Sequence, residues 1–416
     1  MKKNKVIGLN TLEETGNDVL SEILRKGAQK ILKEALEIEI ETFIAEYKDL
    51  RTSEGKRRIV RNGYLPERDI VTGIGRVTVK APRVRDREGR QKGSIRFSSS
   101  ILPRYLRKTK SLEELIPWLY LKGVSAGDFS EALTAIIGKE AKGFSQPVVS
   151  RLKARWKQEF DTWCKRDLSG KRYVYCWVDG IHCNVRMDDK QCILVVMGAT
   201  PEGKKELISV EGGYRESKQS WRELLLKLQS RGLIASPELF IGDGALGFWS
   251  AVSEVFPKSK WQRCWVHKTA NILNKMSKSV QPKAKSRIHD IYMADTKENA
   301  LKAYELFLKT YDAKYPKATN CLIKDRESML AFYDFPAEHW QHIRTTNPIE
   351  STFATVRLRT ARVRGCFSTE TVINMAFKLC QSAEKKWRKL RGYKRLAEII
   401  EGVNFIDGIS ERDIAA

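Results

Sequence analysis

The spacing of apolar and polar residues changes period several times along the chain, and each change marks an element. Over residues 11–50, Leu20, Ile23, Leu24, Ile31, Leu32, Leu36, Phe43 and Ile44 recur at intervals near three and four with acids and lysines between them. This spacing predicts one or two amphipathic helices, for which a packing role suits better than dedicated dimerisation. The segment RDIVTGIGRVTVKAPRVRDREGR then alternates β-formers around Gly73 and Gly75, as a hairpin does, and leads into an Arg-rich loop. Three helical pieces are expected over 111–165: Ser111 and Glu114 make a capping box, Gly123 ends the first piece, and Ser145 with Pro147 opens the last.

After a boundary at RDLSG (166–170), the period changes to that of strands. A long apolar strand over 172–186, a turn at Met187 to Lys190, a strand over 191–199, the turn PEGK and a strand over 206–211 make a β-meander. A helix over 217–230, a strand ending at Asp243, a helix to about 255, a strand near Trp261 to Cys264 and a helix to about 278 follow. The order βββαβαβα is that of an α/β, ribonuclease-H-like fold. A Lys-rich helical pattern over 280–345 interrupts it as an all-helical insertion, and helices over 348–362 and 368–390 complete it. The expected organisation is therefore N-terminal amphipathic helices (1–50), a basic hairpin and loop (51–110), a helix-turn-helix-like domain (111–165), a catalytic core (171–279 and 346–395) split by the insertion (280–345), and a tail (396–416).

Size and charge sharpen this picture. At 416 residues the chain exceeds what one hydrophobic core usually supports, so two or three domains are expected. A net charge of +25 far exceeds what solubility needs and implies a polyanionic partner. Anionic membrane fits less well than double-stranded DNA, because the charge recurs in several blocks and not on one amphipathic helix. Residues 51–110 alone hold 18 Lys/Arg against 5 Asp/Glu, an excess of 13. Arg76, Lys80, Arg83, Arg85 and Arg87 on this ribbon are candidate phosphate contacts, as are Arg151, Lys153 and Arg155 on the last helix of the helix-turn-helix-like segment. There is no apolar run of membrane-spanning length, and MKKNK is followed by no signal-peptide core, so a soluble cytoplasmic protein without membrane contact is expected. The eight cysteines are widely spread without CxxC spacing and read as reduced thiols.

Among 51 acidic residues, two stand where an acid is costly. Asp179 follows Tyr173, Val174, Tyr175, Cys176, Trp177 and Val178 within an apolar strand, and Asp243 follows Leu239, Phe240 and Ile241 at a strand end. A carboxylate in such a setting needs a cation, hydrogen bonds or a proton. Glu350, in the helix-opening TTNPIESTFATVRLRT, could join them in holding hard divalent cations through oxygen. Two such ions, with Asp179 bridging and Asp243 and Glu350 each completing one, would suit in-line attack on a phosphodiester. Either aspartate alone could equally well cap a turn, but the pair in this topology is better read as a site. Arg357, Arg359, Arg362 and Arg364 beyond Glu350 then read as backbone clamps. Cys264 and His267 are half of a zinc-like set with no second half evident, so support of the core near Asp243 outweighs zinc binding. His182 points to the other side of the strand from Asp179 and is set aside.

The pattern Asp243-x3-Gly247-Phe248, then Val255-Phe256-Pro257-x-Ser259, then Gln262-x-Cys264-x2-His267 resembles the signature of the Mutator-like transposases of bacterial insertion sequences. RNGYLPERDIVTGIGRVTVKAPRVRDREG is similar to that family's N-terminal region, so the likeness covers nearly the whole chain. The resemblance implies an Asp-Asp-Glu triad on Asp179, Asp243 and Glu350, dependence on Mg²⁺ with Mn²⁺ as a substitute, an N-terminal domain that reads terminal inverted repeats, and a homodimer or larger synaptic oligomer. It also implies DNA cleavage and joining of the freed 3′ end to target DNA. The competing expectations are a domesticated DNA-binding protein without catalysis and a ribonuclease-H-like nuclease without strand transfer.

Overall fold

A computed structural model describes residues 19–89, 94–109, 146–184, 190–213, 216–362 and 368–414, with isolated positions 111, 112, 115, 119 and 121. Most of the three-helix segment expected over 111–165 therefore lies outside the described residues, as does the turn at 187–189. The chain divides into two compact units, Met1–Ser150 and Arg151–Ala416.

In the first unit, the amphipathic pattern forms one uninterrupted helix, α1 (Val19–Glu46), within the expected one or two. Its C-terminal half buries Leu36 and Ile40, while Leu20, Ile23, Leu24, Ile31 and Ile38 remain exposed. Strands β2 (Arg68–Thr72) and β3 (Gly75–Val79) form the expected hairpin, and Ile70, Val77 and Val79 join Leu36 and Leu102 in a small core. The Arg-rich stretch expected as a loop is instead largely strand. β4 (Pro82–Asp86) pairs antiparallel with β1 (Ile59–Tyr64), so Arg83 and Arg85 alternate outward with more buried Pro82, Val84 and Asp86. The Arg58 guanidinium holds Asp86 by two bonds of 3.0 and 2.9 Å, and this bond keeps the Asp86 carboxyl at about 2.

The second unit is built on a five-stranded sheet of β5 (Tyr175–Asn184), β6 (Lys190–Ala199), β7 (Lys205–Gly213), β8 (Leu239–Gly242) and β9 (Lys260–Arg263), in the order β7-β6-β5-β8-β9. Helix α2 (Gln146–Cys164) precedes β5, β6 and β7, an antiparallel meander. Helix α3 (Lys218–Ser230) leads to β8, which lies parallel to β5, then α4 (Leu246–Val255) leads to β9, parallel to β8. Because side chains alternate across a sheet, β5 serves two cores at once. Cys176 and Val178 face Trp221, Leu224, Leu225 and Leu228 of α3 and Phe248 and Val252 of α4. On the other face, the Tyr175 hydroxyl meets His339 Nδ1 at 2.7 Å and the Trp177 indole donates to His342 O at 2.9 Å.

After β9 the described chain is helical as far as Arg362: α5 (Trp265–Leu273), α6 (Gln281–Tyr292), α7 (Lys297–Tyr311), α8 (Pro316–Ile323), α9 (Arg326–Leu330), α10 (Trp340–Ile343) and α11 (Asn347–Arg362), with two short 3-10 turns between α9 and α10. Helix α11 packs along β5, and α12 (Thr369–Glu384) packs along β7. The final stretch holds a short helix, a two-residue hairpin (Phe405–Ile406 with Ile409–Ser410) and a terminal turn of helix. Among the described residues no cysteine is in a disulfide, and no helix is long and apolar enough to cross a membrane.

The Arg58–Asp86 bond makes a prediction for the first unit. Asp86→Ala should lower its stability by on the order of 2 kcal/mol in urea denaturation, since it leaves a half-enclosed guanidinium short of a partner. The folded carboxyl lies below its ordinary 3.8, so this contribution is complete above about pH 4 and is lost as pH falls toward 2. The gap between wild type and variant should therefore close over that window; a gap independent of pH would contradict the assignment.

Candidate metal centre

Asp179 and Asp243 are brought together by strand register. In the parallel pair β5–β8, Trp177 lies opposite Ile241, so two residues further on Asp179 comes level with Asp243 just beyond the end of β8. Neighbouring strands are about 4.8 Å apart and level residues of a parallel pair share a face, so the Asp243 charge disfavours ionisation of Asp179.

Asp179 is 5% exposed. Its Oδ1 accepts the Gly180 N–H at 2.8 Å, whereas its buried Oδ2 has no hydrogen-bond partner, and Arg357 Nη2 stands 3.9 Å from it. Burial and the Asp243 charge push the carboxyl up to about 7, against the pull of His267 and Arg357. Asp243 closes a tight turn into α4: its Oδ1 accepts the Ala245 N–H at 3.0 Å, and Gly244 sits at φ +96°, where a side chain would be strained and would run into the Arg263 guanidinium. Arg263 donates to Asp243 O at 3.3 Å and, with the buried Lys268, pairs with Asp325. Asp325 thereby ties the helical region to the strand ends that carry the site.

Glu350 enters from the first turn of α11. The Thr346 hydroxyl lies 2.8 Å from its Oε1, and His267 Nε2 lies 3.5 Å from the same oxygen. Cys264, His267 and Glu350 place one donor atom each within 4.8 Å of one another. The partner for Cys264 and His267 that the sequence did not reveal is therefore Glu350, 83 positions beyond His267. Cys264 Sγ also accepts the Thr346 N–H at 3.3 Å. Burial opposes ionisation of Cys264, but hydrogen bonds from His267 and Thr346 outweigh it and lower the thiol, while the bond to Cys264 raises His267 to about 9. Asp179 and Glu350 act on the same imidazole, both in the direction that raises it. Glu216, which no motif singled out, is a further carboxylate here: burial, then Asp243 and Asp179, push it up to about 7.

The candidate phosphate contacts are distributed unevenly. In the first unit, Lys80, Arg83, Arg85 and Arg87 are exposed, whereas Arg76 pairs with Asp69 at 3.0 Å. In the second, Arg151 is exposed, Lys153 is half-buried, and Arg155 pairs with Glu159 at 3.0 Å. Arg357 lies beside Asp179; Arg359 and Arg362 fall on α11 with undescribed side chains, and Arg364 is outside the described residues.

What these elements define is an α/β protein with carboxylate, thiol and imidazole groups gathered where two parallel strands end. The sequence matches the family described as "Transposase, Mutator family" over residues 2–389, and the chain belongs to that family. It is 51% identical over 286 residues to the transposase for insertion sequence element IST2 of Acidithiobacillus ferrooxidans, covering 67% of this chain and 95% of that protein. It is 47% identical over 298 residues to the transposase for IS6120 of Mycolicibacterium smegmatis (71% and 92%), and 26% identical over 381 residues to that for ISRM5 of Rhizobium meliloti (91% and 92%). Membership in a transposase family makes DNA the partner and DNA cleavage and transfer the class of activity.

Thr346 tests the assembly of the centre. Its single hydroxyl proton serves Glu350 or Cys264, one at a time. Thr346→Val keeps the shape and the N–H but removes the hydroxyl, and should cost about 1–2 kcal/mol in urea denaturation, with Thr346→Ser close to wild type. Equal stability of all three proteins would show that the hydroxyl holds nothing together.

Proposed function

We propose that this chain is a metal-dependent transposase whose Asp179, Asp243 and Glu350 serve cleavage at the ends of an insertion sequence and joining of those ends to target DNA. The observation that carries the reading is the buried Asp179 Oδ2, which has no hydrogen-bond partner and lies level with a second carboxylate. An acid so placed is destabilised unless a cation or proton answers it. The donors also fit a hard cation: carboxylate oxygens from two strands and one helix, which suit Mg²⁺ or Mn²⁺ better than the softer metals that Cys264 and His267 would prefer. A ribonuclease-H-like identity for the core is part of the same proposal, supported by three antiparallel strands followed by two parallel ones.

Bound at these carboxylates, divalent cations would neutralise phosphodiester charge and favour ionisation of a nucleophilic water or 3′-hydroxyl. The protein's own groups do the positioning. Asp179 and Asp243 are fixed by strand register and by backbone N–H bonds at Gly180 and Ala245, so little reorganisation is needed on binding. Glu350 is oriented by Thr346 and His267. Arg357, half-exposed beside Asp179, is placed to meet a phosphate drawn to the site. Water and a 3′-hydroxyl attack phosphorus in the same in-line manner, so one centre can serve cleavage and joining. The exposed Arg83, Arg85 and Arg87 are assigned to the DNA backbone, and recognition of terminal inverted repeats to the N-terminal unit, acting in a synaptic oligomer.

Two measurements test this. Incubated with labelled duplex carrying the element's ends, wild type should give nicked and joined products with Mg²⁺ and none with EDTA. Asp179→Asn should lose both by on the order of a thousand-fold while binding the ends as before; retained cleavage would refute the triad, and nicking without joining would favour a nuclease. For DNA binding, the log–log salt slope of the full-length protein should be about −5 or steeper, as for roughly six phosphate contacts. Replacing Arg83, Arg85 and Arg87 together by Ala should reduce its magnitude by about 3, and an unchanged slope would place the backbone contacts elsewhere.

A further inference from the structure

We infer that Glu216 is a fourth carboxylate of the same cation centre, reaching it from the opposite face of β5 through the space left by the absent side chain of Gly180. The inference rests on the reading of Asp179 and Asp243 as cation ligands.

Glu216 lies between the end of β7 and the start of α3, where Ser217 caps the helix by accepting the Ser220 N–H. Such a junction normally sends an acid into solvent. Here Glu216 is half-buried, and its carboxylate occupies the volume that a side chain at position 180 would fill. A Cβ built on Gly180 would fall 1.7 Å from Glu216 Oε1 and 2.8 Å from Cys192 Sγ. A second glycine admits the backbone of the same segment: a Cβ on Gly247 would fall 2.6 Å from Lys218 N and 3.1 Å from Glu216 O. Gly180 directly follows Asp179, and Gly247 lies one turn beyond Asp243. Asp179, within β5, and Asp243, just beyond β8, are each thus accompanied by a glycine that lets Glu216 come close.

Among the described residues the Glu216 carboxylate takes no hydrogen bond and no ion pair. Instead it feels Asp243 and Asp179, with His267 as the attractive neighbour. An acid half removed from water, near two others and with no hydrogen-bond donor among the described residues, costs stability unless something positive binds there. The independent sign of that missing partner is Asp179 Oδ2, which is buried and also lacks a hydrogen bond. A divalent cation answers both deficits together. Glu216 would add negative charge that holds the cation before DNA arrives, when no phosphate oxygens are present to share it. The three-residue group whose donor atoms lie within 4.8 Å of one another and that includes Glu216 is His182, Cys192 and Glu216, so a separate softer-metal site is the competing arrangement that the test must separate.

The test uses the full-length protein without DNA. Mn²⁺ affinity is measured by isothermal titration calorimetry for wild type, Glu216→Gln, Glu216→Asp, Asp179→Asn and the double variant His182→Ala/Cys192→Ala, with metal-free melting followed by circular dichroism. Glu216→Gln should weaken Mn²⁺ binding by about 10- to 100-fold. Its metal-free melting temperature should be equal to or above that of wild type, because the substitution removes an unanswered charge. Glu216→Asp, which keeps the charge but shortens its reach, should fall between the two in affinity and serves in place of Gln should that variant fold poorly. Wild-type Mn²⁺ affinity in both Glu216 variants overturns the inference. If Asp179→Asn nevertheless loses affinity, the triad reading survives without Glu216; if it too binds as wild type, that underlying reading fails. A loss shared by Glu216→Gln and the His182/Cys192 variant, with Asp179→Asn unaffected, places Glu216 in a different site and likewise overturns the inference.

Discussion

The second unit depends on how β5 can carry an ionisable group through its own hydrophobic core. Tyr175 and Trp177 on one face and Cys176 and Val178 on the other are all but fully buried, and the strand pairs on both edges. That burial fixes Asp179 to within the tolerance of a strand, and its parallel register with β8 fixes Asp243 beside it. The stability of the sheet is what holds two like charges in proximity, at a cost seen in the Asp179 carboxyl, which burial and the Asp243 charge push up to about 7.

The third acid is held differently. Glu350 lies on α11, and its position depends on Thr346, His267 and Cys264 and on how the helical region joins the sheet. Asp325 is central to that join, because Arg263 from β9 and Lys268 from α5 both reach it, and Lys268 is 1% exposed. Removing one partner of such an ionic group would leave the others unanswered, so the placement of Glu350 is coupled to Asp325, Arg263 and Lys268. Cys264 and His267 thus stand beside the helix-borne glutamate, each with a donor atom within 4.8 Å of it.

How far the sequence could be read follows the range of the interactions. The meander, the 68–79 hairpin and the helices flanking β8 are written in local period and turn residues, and they lie within a few positions of where the pattern puts them. Asp179 and Asp243 are legible for the same reason, since an acid in an apolar strand is a local anomaly. The Arg-rich segment reads as loop in the sequence because its pairing partner, β1, begins more than twenty positions earlier and its inward residues include Asp86, which Arg58 holds. Cys264 and His267 looked like half a site because their partner is supplied by a helix far along the chain. Glu216 carried no signal at all: an acid before a serine cap reads as surface, and only the two glycines on other elements reveal where it points.

Diffraction from crystals soaked in Mn²⁺, recorded for anomalous scattering, would locate the divalent cation proposed between Asp179 and Asp243. An anomalous peak within about 2.5 Å of Asp179 Oδ2 and shared with Asp243 is the predicted result. Ordered side chains with no peak there, or a peak only against Cys264 and His267, would contradict it.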